Sequence, residues 1–246
     1  MTSPIHSRVR RVERIRHELR RRDVEVAHVE RLSPGFAAVT FRGPALDGFL
    51  SLSFDDHVKF MFHDAAGELV RRDYTPRRFD AERRELTIEF ALHGEGAASD
   101  WARQATVGQP AIIGGPRGSM VIPTDYDWHL LAGDDTALPA IHRRLEELPS
   151  STQAIVIAHV AAPDRRLLAT RPGIQLQWVD SDEALVAAVS ALPLPPGEGF
   201  AWCAGEASTM ARMRQVLLAE KDHPREAARI AAYWKRGASE FHENLE

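Results

Sequence analysis

The sequence predicts a two-domain β + α/β protein: a six-stranded antiparallel β-barrel followed by a mostly parallel α/β domain. Three observations carry this. Between residues 23 and 92, short runs rich in Val, Phe and Ile recur between turn residues. From residue 128, near-continuous apolar runs alternate with segments of helical spacing, the pattern of strands covered on both faces. Between the two lies a glycine corner, Gly114-Gly115-Pro116-Arg117-Gly118, followed by a linker over Pro123 to Asp127. The expected divisions are a basic arm over 1–22, a barrel over 23–124 and an α/β domain with a C-terminal tail over 125–246.

The arm concentrates Arg8, Arg10, Arg11, Arg14, Arg16, Arg20, Arg21 and Arg22 against Glu13 and Glu18. A nucleic-acid arm is one reading, but no aromatic residue is interleaved for base stacking. A solvated, partly helical lead-in is the expectation. Val24, Val26 and Val29 then begin a strand, Ser33-Pro34-Gly35 turns it, and Phe36, Val39 and Phe41 form the next, ended by Gly43-Pro44. After a loop at 45–56, His57 to Phe62 is another buried run, and Leu69-Val70 leads into a further one. Leu86, Ile88 and Phe90 alternate with Thr87 and Glu89, which predicts one buried face and one wet face. A helix is expected to start at Ala97 to Ser99.

In the second half, strands are expected at 129–133, 154–158, 175–179, 200–204 and 230–234. Helices are expected from Thr136 to about Leu148 and from Glu183 to Ala191. A third starts at Gly205-Glu206, with Met210, Met213, Val216 and Leu217 at three- and four-residue steps. Ligands on such sheets sit at the carboxyl ends of the strands, here Gly133-Asp134-Asp135-Thr136 and Ala204-Gly205-Glu206.

Composition narrows the function. The chain has 246 residues, is 44% hydrophobic and 27% charged, and carries a net charge of −4, so it has no global attraction to nucleic acid or anionic lipid. Its one cysteine, Cys203, forms no internal disulfide, which suits a reducing cytoplasm. No apolar run approaches the roughly 20 residues of a membrane span. No apolar stretch follows the N-terminal basic residues, so neither a secretory signal nor stable membrane association is expected. The histidines, among them His57, His63, His93, His129, His142 and His159, lack ligand spacing, so no protein-bound metal is expected.

One stretch stands out: Arg71-Arg72-Asp73-Tyr74-Thr75-Pro76-Arg77-Arg78, between two strand-like runs. It joins an aromatic ring, a small hydroxyl and several guanidiniums. That set suits a flavin dinucleotide, which needs a flat face, a donor at its reactive nitrogen and positive charge at its diphosphate. An edge strand with a Pro turn and solvated arginines is the alternative. Downstream, Leu92-His93-Gly94-Glu95-Gly96-Ala97-Ala98-Ser99-Asp100-Trp101 ends a strand in small residues and opens a helix, whose free N–H groups suit a diphosphate.

These motifs, with Gly115-Pro116-Arg117-Gly118, Gly133-Asp134-Asp135-Thr136-Ala137-Leu138-Pro139-Ala140-Ile141, Ala204-Gly205-Glu206 and Tyr233-Trp234-Lys235-Arg236-Gly237, resemble the siderophore-interacting protein family. The resemblance runs from about residue 23 to 240. Its members are FAD-dependent, ferredoxin-reductase-like reductases of ferric siderophores. The chain departs from the family pattern in two mild ways: Gly96-Ala97 stands for Gly-Pro, and Asp135 for Glu.

The resemblance implies non-covalent FAD, with electrons from NADPH, NADH or a reduced ferredoxin passed to ferric iron in a siderophore. It implies Tyr74 on the flavin ring, Thr75 at the reactive nitrogen, and Arg72 and Arg77 at the diphosphate. His93, Gly94, Gly96, Ala97, Ala98 and Ser99 would bind FAD mainly through backbone groups, with Trp101 beside the flavin or in the core. Asp135, Thr136 and Ala137 would meet the nicotinamide or its phosphates, although a carboxylate pair repels phosphate, and capping of the next helix is the alternative. Lys59, Arg117, Lys235 and Arg236 would form a basic rim for an anionic siderophore. A cytoplasmic monomer that binds no nucleic acid is expected. The competing readings are a flavin reductase with a protein or quinone acceptor, and a non-catalytic flavin-binding module.

Overall fold

The computed structural model describes residues 12–92, 96–167 and 171–238. Seven strands form an antiparallel sheet: β2 (Arg21–Ser33), β3 (Phe36–Arg42), β4 (Val58–His63), β5 (Leu69–Tyr74), β6 (Arg78–Asp80), β7 (Glu85–Ala91) and β8 (Pro110–Gly114). Their order is β5-β4-β8-β2-β3-β7-β6, and the three-residue β6 is the strand beyond the expected six. Alternation explains the core of this sheet. Val26, Phe41, Phe60, Leu86, Ile88 and Phe90 all point inward and are fully buried. Helix α1 (Ala97–Gln104) covers them with Ala98, Trp101 and Ala102.

The basic arm is extended where it is described, not helical. Strand β1 (Glu13–Arg16) pairs antiparallel with β9 (Gly118–Val121), with Ile15 opposite Ser119. The arm has no apolar stripe to seat a helix, whereas the edge of β9 offers backbone partners.

The second sheet has the order β12-β11-β10-β13-β14 and is parallel throughout. Its strands are β10 (Trp128–Asp134), β11 (Gln153–His159), β12 (Ile174–Val179), β13 (Gly199–Glu206) and β14 (Ala228–Trp234). Every residue of β10 and β13 is buried, as central strands of a doubly covered sheet require. Helices α3 (Asp182–Ala191) and α4 (Ala207–Arg214) cover one face, where Leu185, Val189, Met210 and Met213 meet Leu130 and Ala132. A wider helical turn over Gln215–Glu220 carries α4 onward and buries Val216 and Leu217.

Helix α2 (Leu138–Glu147) covers the other face, but not alone. Phe36 and Phe54, from the antiparallel half, join the same apolar cluster, and Phe54 packs on Trp202 of β13 with ring centroids 5.4 Å apart. The expected linker, 123–127, is likewise packed. Tyr126 is buried against Phe200, and Arg144 of α2 donates to the carbonyls of Ile122 and Pro123 at 3.0 and 2.7 Å.

Polar groups lock this seam. Arg77 is buried, donates to both carboxylate oxygens of Glu146 on α2 at 2.7 and 2.8 Å, and meets Glu89 of β7 at 3.0 Å. Glu89 is therefore 9% exposed, although its alternation with Ile88 and Phe90 placed it on a wet face. The second domain covers that face. Burial pushes the Glu89 carboxyl up, and the bonds from Arg77 hold Glu146 below the usual carboxylate range. Arg143, also on α2, donates to the Pro76 carbonyl at 2.8 Å and to the Ser51 carbonyl at 2.9 Å.

Removing Arg77 would leave Glu89 buried without its counter-ion. Arg77→Met is expected to lower the unfolding free energy by about 3–5 kcal/mol in urea titrations, and adding Glu89→Leu should restore most of it. A loss below about 1 kcal/mol would show that the pair contributes little.

Candidate functional site

Strand β5 ends at Tyr74, and Thr75 and Pro76 turn the chain into the seam. The Tyr74 ring is half-buried, tilted on Phe90 at 4.4 Å and edge-on to Phe60 at 5.9 Å. Burial pushes its phenol up, so it stays protonated. Thr75 is buried, and its side chain lies beside Tyr233 of β14. The end of the parallel sheet's edge strand thus touches the motif at the end of the antiparallel one.

The other residues singled out by sequence divide into those near this point and those engaged elsewhere. Arg72 is half-buried on β5, opposite Phe60, and donates to the Arg71 carbonyl at 2.7 Å. Arg77 faces the seam, where its guanidinium is paired with Glu89 and Glu146. Trp101 lies in the core, with Phe60 at 4.7 Å and Phe62 at 5.7 Å, because its helix buries the face that carries it. Helix α1 begins at Gly96 with no side-chain cap. Its first backbone bond runs from Asp100 N–H to the Gly96 carbonyl at 2.9 Å, so the amides of Ala97, Ala98 and Ser99 come before the helical ladder. His93 and Gly94 lie outside the described residues.

At the carboxyl edge of the parallel sheet, the acidic pair caps. Asp134 Oδ1 accepts from Thr136 N–H at 2.9 Å and from its hydroxyl at 2.5 Å, which spends both polar groups of Thr136. Asp134 Oδ2 accepts from Glu206 N–H at 2.9 Å and from the Trp234 indole at 2.8 Å. A side chain on Gly205 would strike this carboxylate, since its Cβ would lie 2.5 Å from Oδ2. Ala137 is buried and Asp135 half-exposed. Glu206 caps α4 by accepting from Ser208 N–H at 2.7 Å and Thr209 N–H at 3.2 Å. Both helix starts at this edge thus already hold a carboxylate. Burial, then Asp135, raises the Asp134 carboxyl to about 6.

Lys59 is half-buried and paired with Asp73 at 2.7 Å, while Arg117, Lys235 and Arg236 are exposed. Lys59 lies opposite Gly114, which leads into the Gly115-Pro116-Arg117 turn. The main chain of Arg236 is held by Glu206 at 3.3 Å. Sequence reasoning missed Asp55, Glu89, Arg143 and Glu146, whose partners are far away in the chain. It quoted Tyr233 and Trp234 without a role, although two adjacent aromatics at the end of a final strand were a visible signal.

Comparison with known proteins gives this geometry a context. The profile described as "Siderophore-interacting protein" matches residues 126–237, and the "Siderophore-interacting FAD-binding domain" matches 25–71 and 64–120. The chain is 36% identical over 245 residues to an NADPH-dependent ferric-chelate reductase of Escherichia coli, covering 90% of this chain and 96% of that protein. Among solved structures, a siderophore utilization protein from T. fusca has a TM-score of 0.88 at 33% identity, covering 94% of this chain and 99% of that one. The ferredoxin reductase of carbazole 1,9a-dioxygenase shares the fold, with a TM-score of 0.68 at 17% identity, over 89% of this chain and 70% of that one.

The residues fit FAD. The half-buried Tyr74 ring could take an isoalloxazine, and the uncapped start of α1 could receive a diphosphate with Arg72.

The Asp134 network yields a pH-dependent expectation. Folding raises this carboxyl, so its own stabilisation is complete below the unfolded value near 3.8 and is lost as pH rises to about 6. Above pH 6 the buried charge depends on its donors. Trp234→Phe should therefore lower the melting free energy by about 1–3 kcal/mol at pH 8 and by clearly less at pH 5. An equal loss at both pH values would sever the indole from the titration.

Proposed function

The chain belongs to the siderophore-interacting protein family, and from that premise we infer that it is an FAD-dependent reductase of ferric siderophores. NADPH supplies the electrons and ferric iron held by a chelator receives them. The observation that carries the reading is the contact of Tyr233 with Thr75. It joins the edge where a nicotinamide would approach to the motif suited to a flavin.

Bound FAD supplies the step no side chain performs: it accepts electrons in pairs and gives them up singly. The chain's residues do the rest. Tyr74, kept flat by Phe60 and Phe90, offers a face for the ring. Thr75 offers a hydroxyl at its reactive edge, and Arg72 with the amides of Ala97, Ala98 and Ser99 offers positive charge to the diphosphate. His93 and Gly94 belong to the same proposed cradle. The Asp134 and Glu206 caps favour a donor whose phosphates are gripped away from the helix starts, with its nicotinamide end toward Asp135, Thr136 and Ala137, because the carboxylates there repel phosphate. Lys59, Arg117, Lys235 and Arg236 draw an anionic ferric chelate to the rim. Reduction lowers the iron charge by one, so anionic oxygen donors hold it less tightly and it leaves as Fe(II). The iron is substrate, and no protein ligand is needed for it.

No described helix is long and apolar enough to cross a membrane. The reading places the enzyme in the cytoplasm as a monomer, which suits its free buried Cys203, with reduced ferredoxin as an alternative donor. We also read the chain as a basic arm, a flavin domain to about residue 124 and a donor domain beyond it.

Two measurements test the reading. Tyr74→Ala should weaken FAD binding by tenfold or more in a fluorescence titration, and parent-like affinity would move the flavin off this residue. In anaerobic stopped flow, NADPH should bleach the FAD-loaded protein. A ferric siderophore should restore its colour with Fe(II) trapped by a ferrous-specific chelator. Restoration no faster than by dissolved oxygen would point to another acceptor.

A further inference from the structure

Strand β11 ends beside β10, with His159 opposite Asp134. The His159 Nδ1 lies 2.9 Å from Oδ1 of Asp182, the first residue of α3. A carboxylate only accepts, so Nδ1 carries a hydrogen, and Nε2 is the nitrogen left to meet a ligand. The imidazole is 33% exposed, so a ligand at this edge can reach it.

The acids around His159 are matched by cations. Asp182 Oδ2 lies 3.4 Å from an Arg236 guanidinium nitrogen, Asp180 is bonded to Arg165, and Glu183 is 3.8 Å from Arg212. Arg165 also donates to the Val160 carbonyl at 3.0 Å, which keeps it next to the end of β11. The segment that carries it is anchored, because the buried Asp164 accepts from Gly35 N–H at 3.0 Å. With His159 protonated, the four cations outnumber these three carboxylates. The ends of β10 and β13 carry the opposite sign, in Asp134 and Glu206.

A dinucleotide whose nicotinamide end lies toward Asp135, Thr136 and Ala137 has its adenosine half further along this edge. On one side β13 and β14 end in Glu206 and Trp234, and the Trp234 indole closes on Asp134. The other side leads to β11. In related sheets a carboxylate in this region accepts from the ribose hydroxyls of a donor without an extra phosphate, and a cation accommodates that phosphate where it is present.

We infer that His159 determines the choice of electron donor: its Nε2–H, with the charge of Arg165 beside it, binds the ribose 2′-phosphate and so selects NADPH over NADH. This deepens the donor reading above and rests on it. An imidazolium donates from both nitrogens, here to Asp182 and to the phosphate, and both bonds are charge-assisted. Asp182 is the positioning residue, since its bond fixes which nitrogen faces the ligand.

The experiment uses the full chain loaded with FAD, so that the flavin's own adenosine site is filled. Calorimetry compares adenosine 2′,5′-bisphosphate with adenosine 5′-monophosphate, fragments that report binding without any electron transfer. The parent should bind the bisphosphate about tenfold more tightly or better, and His159→Gln should remove about tenfold of that margin while leaving the monophosphate unchanged. His159→Glu should reverse the preference, and the KM values for NADPH and NADH should move in parallel. Equal affinity for the two fragments in the parent, or binding of neither, would overturn the inference. So would a margin that survives in His159→Gln. Thermal melts check the fold, and if His159→Glu melts early, the isosteric amide of His159→Gln carries the test. If NADPH bleaches the flavin but the margin does not depend on His159, the inference falls alone. If the margin depends on His159 but NADPH does not bleach the flavin, the phosphate site stands and the donor reading beneath it falls.

Discussion

A guanidinium almost out of reach of water must find its counter-charges inside the protein, and Arg77 finds one on each side of the seam. Glu89 comes from the antiparallel sheet and Glu146 from the helix of the parallel one. Neither domain alone satisfies it. A buried charge stripped of a partner costs several kcal/mol, so the two sheets are held in one relation. The other cross-seam contacts depend on that relation: Arg143 on the Pro76 carbonyl, Trp202 and Arg229 on Asp55, and Tyr233 on Thr75. Thr75 is met by β14 of the second domain, and Pro76 and Arg77 by α2. The motif that suits a flavin is therefore also where the domains are joined, and a cofactor seated there would report on their alignment.

The other end of the site works through negative charge. In a sheet of this kind, the N-terminus of the helix after the first strand offers free amides to phosphate. Here Asp134 and Glu206 take up those amides, and Asp134 also binds the indole at the end of β14. The space that glycines leave open for a ligand in such turns is filled by the chain's own carboxylate, as the approach of Asp134 to Gly205 shows. Rigidity at the strand ends is gained at the expense of a phosphate cradle.

Much of the fold was legible because it is written in local spacing. The alternation of Leu86, Ile88 and Phe90 fixes a strand, and the unbroken apolar run of β13 fixes a covered one. The Tyr-Thr motif and the small residues before α1 carry a cofactor-like pattern in the same kind of local spacing. Where the reading went astray, a distant partner intervened. Glu89 has the spacing of a wet face, yet α2 and Arg77 cover it. For Trp101 the sequence left the flavin and the core both open, and four phenylalanines surround it in the core. The arm has the composition of a solvated helix, yet it pairs with β9.

The sequence by itself determined the two sheets, their order along the chain, the family and the chemistry such a chain performs. Each of these rests on residues near one another in the chain, where periodicity, turn chemistry and motif spacing act directly. Only the tertiary structure decided which arginine is paired with carboxylates across the seam, and which tyrosine reaches Thr75. Those outcomes depend on side chains as much as 158 positions apart, from Thr75 to Tyr233. No local pattern encodes such a meeting, because it exists only once two separately formed hydrophobic faces have closed on each other and excluded water.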